Sequence, residues 1–117
     1  MIPWGKDSTY YVLFKPGSSV LSNDMLAKVL PVVADGHRQQ PDVQILLEGH
    51  ADESEPDPTR LADHRVQTVR KKLIEMGVKR DAMVVRSFGA ERPQEPRAHD
   101  GIPLPNAWVV IRVVRDE

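Results

Sequence analysis

The chain has 117 residues, 40% of them apolar, with 16 Lys and Arg against 17 Asp and Glu, no cysteine and ten prolines. One domain with its own core is expected at this length, and a disulfide or cysteine-metal scaffold is excluded. A formal net charge of -1 without a basic run provides no field to gather nucleic acid or an anionic membrane surface. No segment approaches the ~18 consecutive apolar residues of a membrane span, and the first sixteen residues lack the basic start and apolar centre of a signal peptide. The expectation is a soluble chain that either works in the cytoplasm or is a piece of a longer, exported protein, since the absence of cysteine is compatible with both compartments.

Residues 1–8 show no periodicity and are read as a flexible lead-in to a single domain over 9–117. Tyr10, Tyr11, Val12, Leu13 and Phe14 form a run of β-formers, and Lys15-Pro16-Gly17 ends it by turn chemistry. A helix is expected over about 23–37, with Ser22 as N-cap and Met25, Leu26, Val29, Leu30 and Val33 at helical spacing. Pro31 lies inside it and must bend or restart it. Val43, Ile45 and Leu47 alternate as in a strand, closed by Gly49.

The second helix, expected over 59–76, carries Leu61, Val69, Leu73 and Met76 as one stripe with Val66 beside it, and Gly77 at its C′ position. Asp63, Gln67, Arg70, Lys71 and Glu75 fall on the outer side. Further strands are expected over 84–88 and 107–113, separated by a long loop over 89–105 with four prolines. The order β-α-β-α-β-β describes a two-layer α+β sandwich, an α/β class fold with the helices on one face of the sheet.

Gly49-His50-Ala51-Asp52 sets polar side chains directly after an apolar strand, where α/β sheets concentrate binding residues. Asp52, Glu53, Glu55 and Asp57 place four carboxylates within six residues. Glu53, Glu55 and Asp57 read as a solvated acidic loop, because the spacing of a calcium-binding EF-hand loop is absent. Arg65 interrupts the apolar stripe that steps by four from Leu61 to Val69. A guanidinium there must be paired with an acid, snorkel, or serve as a carboxylate-binding fork near Asp52. His50, Asp52 and His64 do not converge on a metal, since His64 lies about 100° round the helix from Arg65. No residue pattern pairs a nucleophile with a base, so an enzyme is not expected, nor is a cofactor.

The stretch 43–93 resembles the OmpA C-terminal-like (OmpA/Pal/MotB) family. The matching pieces are the apolar strand into Gly49-His50-x-Asp52, then Leu61-Ala62-x-x-Arg65-Val66-x-x-Val69, Leu73 to Gly77, and Phe88-Gly89-x-x-x-Pro93. Phe14 and the helix over 21–33 extend the match over nearly the whole chain. The resemblance implies a mixed four-stranded sheet of order 1-4-2-3. It also implies a periplasmic, non-catalytic module that anchors a membrane-attached protein to peptidoglycan by gripping the diaminopimelate of the stem peptide. Asp52 would accept the ligand ammonium and Arg65 clamp its carboxylate, with His50, Ala51 and Leu61 completing the ligand-binding set.

The chain departs from the family pattern at Ala51 in place of Thr, Glu55 in place of Gly, Pro58 in place of Asn, and Ala107-Trp108 in place of a pair of arginines. The loop over 52–61 is also shorter. These departures support an alternative, an OmpA-like interaction domain that has lost the ligand and works with protein partners in an envelope-spanning secretion or stator complex.

Overall fold

The computed structural model describes residues 8–91, 98, 99, 102, 103 and 107–114. The expected lead-in therefore lies outside the described residues except for Ser8, as does much of the proline-rich loop. Four strands form one mixed sheet: β1 (Thr9–Leu13), β2 (Gln44–Gly49), β3 (Met83–Ser87) and β6 (Trp108–Val114). Their order is β1-β6-β2-β3, which is 1-4-2-3 when only the strands of this sheet are counted. β6 runs antiparallel to both β1 and β2, whereas β2 and β3 are parallel. Within the loop over 89–105, β4 (Ala98–His99) and β5 (Ile102–Pro103) pair as a small separate ribbon that the sequence reading did not anticipate.

The helices α1 (Leu30–Gln39) and α2 (Pro58–Glu75) cover one face of the sheet. Val12, Ile45, Leu47, Val109, Ile111 and Val113 meet Leu30, Val33, Val66, Val69 and Leu73 in one buried cluster. This is the alternation read from β2 and β6 joined to the helical stripe of α2. On the other face, Trp108 and Val110 are buried as well. The Trp108 ring meets Tyr11 edge-on at a centroid distance of 6.1 Å. A pair from Arg112 Nε to Glu48 Oε1, 3.1 Å, crosses from β6 to β2.

Pro31 restarts the first helix rather than bending it. Ser22 Oγ accepts from the Met25 N–H at 3.2 Å, as expected of a cap. A π-helical turn over Met25–Val29 follows, in which the Leu30 N–H reaches back five residues to the Met25 carbonyl. Pro31 then occupies the first turn of α1, where a missing N–H costs nothing. At its far end α1 is tied down by His37, whose Nε2 accepts from the Lys79 N–H at 3.3 Å. Burial and the Lys79 charge hold this imidazole below its usual pKa.

α2 is started and stopped by local chemistry. Asp57, in the left-handed region at φ 44°, accepts from the Arg60 N–H, and Pro58 opens the first turn. At the C-terminus Val78 N–H bonds to Leu73 O and Gly77 N–H to Ile74 O, with Gly77 at φ 101°. That pair of bonds is the Schellman arrangement for which glycine is favoured.

The contact that sets α2 over the end of β2 is made by Gly49. A Cβ at this position would lie 2.4 Å from the Ala62 carbonyl oxygen and 3.0 Å from Val66 Cβ. The backbones therefore touch where a side chain would separate them, and Arg65, three residues past Ala62, is brought against the residues that follow β2. Gly49→Ala is expected to destabilise the fold by about 3 kcal/mol, the upper end of an overpacking cost, because the obstructing atom is backbone. Urea denaturation with an unchanged m-value would measure it.

Candidate functional site

Three pieces of backbone meet Arg65. The first is the turn after β1, where Ser18 N–H bonds to Lys15 O at 3.0 Å and Gly17 has φ 72°. Pro16 and Gly17 thus hold the two central positions of a type II turn, which needs a positive φ at the second. The second is the continuation of β2, held by His50 N–H to Trp108 O and Ala51 N–H to Gly89 O, both 2.9 Å. The third is the loop from Asp52 to Asp57.

Arg65 itself has no exposed surface. Its Nε donates to Ser18 O at 2.8 Å. Nη1 donates to His50 O at 3.2 Å and to Glu55 Oε1 at 2.8 Å. Nη2 donates to Lys15 O at 3.3 Å and to Glu55 Oε2 at 2.5 Å. A guanidinium has five N–H donors, so every one is used within the chain. The Phe14 ring lies 5.4 Å from Cζ and adds a cation–π contact on one face.

Glu55 is equally saturated. Besides the two Arg65 bonds, Oε1 accepts from the Asp52 N–H and Oε2 from the Gly17 N–H, each at 2.7 Å. Its residue exposure is 7%, whereas Glu53, Ser54, Pro56 and Asp57 around it are exposed. The expectation of a solvated acidic loop is thus corrected for Glu55, which turns inward because a buried guanidinium requires a counter-charge. Burial by itself raises the Glu55 pKa, but the hydrogen bonds from Arg65, Gly17 and Asp52 with the Arg65 charge outweigh it, and the net shift is downward.

Of the residues singled out in the sequence, Asp52, His50, Ala51 and Arg65 lie together. Asp52 is half-buried, with Oδ2 accepting from Ser54 N–H at 3.1 Å and Ser54 Oγ–H at 2.5 Å. His50 and Ala51 are fully buried, and the His50 ring stacks on Phe88 at 5.4 Å. Leu61 is half-buried, one turn before Arg65 on α2. His64 is exposed, so it points away from His50. Trp108 and Ala107, the departures at the opening of β6, are both buried.

The sequence reading missed the turn residues Lys15, Gly17 and Ser18 as parts of the site. The Pro-Gly pair signalled a turn, though not that its N–H and carbonyls would line a charged centre. A groove of about 460 Å³, lined by Phe14, Lys15, Ser18, Val20, Leu21 and Met25 among others, opens beside this centre. Neither Asp52 nor Arg65 lines it.

A mixed 1-4-2-3 sheet under two helices, with an acid after β2 and an arginine on α2, defines the OmpA-like class of α+β domain. The OmpA family profile matches residues 13–101, and the chain belongs to that family. Among solved structures, the C-terminal domain of Helicobacter pylori MotB is 25% identical, with a TM-score of 0.76 over 92% of this chain and 85% of that one. The peptidoglycan-associated lipoprotein of Burkholderia pseudomallei is 26% identical, with a TM-score of 0.73 over 88% of this chain and 87% of that one. The OmpA-like domain of FopA1 from Francisella tularensis shares the fold at 18% identity, with a TM-score of 0.74 over 93% and 74%. No curated protein sequence matches the chain.

Removing one member of the buried pair leaves the other charge uncompensated. Glu55→Ala is expected to cost about 3–5 kcal/mol in urea denaturation at neutral pH. Because the native pKa of Glu55 is depressed, its contribution is complete above the unfolded value of about 4.3 and is lost as pH falls through the lower native value. The stability difference between the native chain and Glu55→Gln should therefore shrink across that acid range.

Proposed function

We propose that this domain is a non-catalytic module that holds a membrane-attached envelope protein at the cell wall, in the periplasm, by gripping diaminopimelate of the peptidoglycan stem peptide. The observation that carries this reading is the carboxylate cradle around Arg65. A bidentate guanidinium and two backbone N–H groups, from Gly17 and Asp52, converge on one carboxylate. Such a fork recognises carboxylate geometry as well as charge. Asp52 stands next to it with the opposite sign, as a zwitterionic ligand end requires. His50, Ala51 and Leu61 supply the surrounding wall. The named association of the Burkholderia relative with peptidoglycan is consistent with this.

A second reading has its own observation. All five donors of Arg65 are spent on the chain's own atoms, which favours an OmpA-like domain that has given up the ligand and serves as a protein-interaction module in an envelope complex.

Titration by NMR separates the two. A muropeptide containing diaminopimelate should shift the amides of His50, Asp52 and Leu61 saturably, and Asp52→Asn should weaken it by about tenfold or more, roughly the value of one charge-assisted bond. The same muropeptide with lysine in place of diaminopimelate lacks the terminal carboxylate and should bind far more weakly. Absence of any saturable shift, or equal binding of both muropeptides, would remove the diaminopimelate reading.

A further inference from the structure

The carboxylate that the cradle holds belongs to the chain itself. We propose that Glu55 is an internal occupant of the carboxylate site, seated on Arg65 where an external carboxylate would sit, so that the site opens only when the loop carrying Glu55 swings out. This rests on the reading of Arg65 as a carboxylate clamp and adds a gate to it.

Three features support the assignment. The first is that three of the cradle's four donors, the two Arg65 Nη groups and the Gly17 N–H, belong to the framework, and only the Asp52 N–H belongs to the loop. Arg65 stands on the core stripe of α2, and Gly17 lies in a type II turn closed independently by Ser18 N–H to Lys15 O. The second is how the loop is attached. Residues 53, 54, 56 and 57 are exposed, and Glu55 is the side chain of that segment that enters the interior. Inside the loop, the Glu55 N–H bonds to Asp52 O at 2.9 Å, and Ser54 bonds to Asp52, contacts that can travel with the loop. Pro56 and the left-handed Asp57 then separate it from α2.

The third feature is saturation. Four donors meet the four lone-pair positions of the Glu55 carboxylate, and no donor of Arg65 remains for a second anion. An external carboxylate must therefore replace Glu55 rather than join it. A short tether gives Glu55 an effective concentration of roughly millimolar or more, which a free ligand has to outcompete. If the open form is about 1–10% of molecules, apparent affinity is reduced by roughly ten- to a hundredfold, and that factor is recovered when Glu55 is removed.

Sodium acetate is a probe for the vacated cradle that does not depend on peptidoglycan. The Tm of Glu55→Ala should rise saturably with acetate and not with sodium chloride at equal ionic strength, while the native chain responds alike to the two salts. Should Glu55→Ala be too unstable to isolate in chloride, refolding in acetate should recover it. Failure in both salts, or an acetate response no greater than that of the native chain, overturns the proposal.

The diaminopimelate muropeptide, titrated into both proteins, separates this proposal from the function beneath it. Tighter binding by Glu55→Ala, by about tenfold or more, supports both. Acetate rescue without muropeptide binding keeps the internal occupant and removes the stem-peptide ligand. Equal muropeptide affinity in the two proteins keeps the ligand and removes the gate.

Discussion

Arg65 is a fully buried charge, and the arrangement of four separate chain segments follows from neutralising it. An isolated guanidinium in this position would carry a desolvation cost of several kcal/mol, which a fold of ordinary stability cannot absorb. The turn after β1 therefore contributes two carbonyls, the end of β2 contributes one, and the loop before α2 contributes the carboxylate of Glu55. Residues 47 and 50 positions apart in sequence are joined through a single side chain. The Glu55 carboxylate closes the set by taking the N–H of Gly17 and Asp52, so the acid and the base of the pair are anchored to the same turns.

That charge cluster depends in turn on how closely α2 approaches the sheet. Gly49 lets the Ala62 carbonyl oxygen come within 2.4 Å of where a Cβ would be, and this close approach of the helix brings Arg65 within hydrogen-bond reach of the His50 carbonyl. The parallel pairing of β2 with β3 and the antiparallel insertion of β6 hold the end of β2 from both sides, through Phe88 N–H to Gly49 O and His50 N–H to Trp108 O. Burial of Ala107 and Trp108 at the opening of β6 makes this end of the strand a packing surface.

In this chain the cradle is complete and filled from within. The donors that hold the Glu55 carboxylate stabilise the folded domain by compensating the buried pair of charges. A groove of about 460 Å³ lies beside the centre and shares Phe14, Lys15 and Ser18 with it, so the wall that touches Arg65 is also partly open to solvent.

Much of this was legible from the order of residues alone. Alternation in β2 and β6, the step-of-four stripe on α2, its Gly77 stop and the Pro16-Gly17 turn are local patterns that follow from strand and helix geometry, and each stands where it was expected. The anomaly of Arg65 was also local, since an arginine on an apolar stripe conflicts with its neighbours whatever the fold. The role of Glu55 was not legible. Glu53, Glu55 and Asp57 share one composition and one loop, no periodicity distinguishes them, and only the three-dimensional path of the loop turns one inward and leaves two in solvent. The π-helical turn before Pro31 and the paired β4 and β5 were likewise set by bonding that composition does not encode. The sequence by itself determined the main helices and strands and their buried faces, because periodic burial is written residue by residue, whereas the order of the strands in the sheet was implied only by the family resemblance. Tertiary structure decided which carboxylate answers the buried arginine, because that choice depends on distances between segments that share no local pattern.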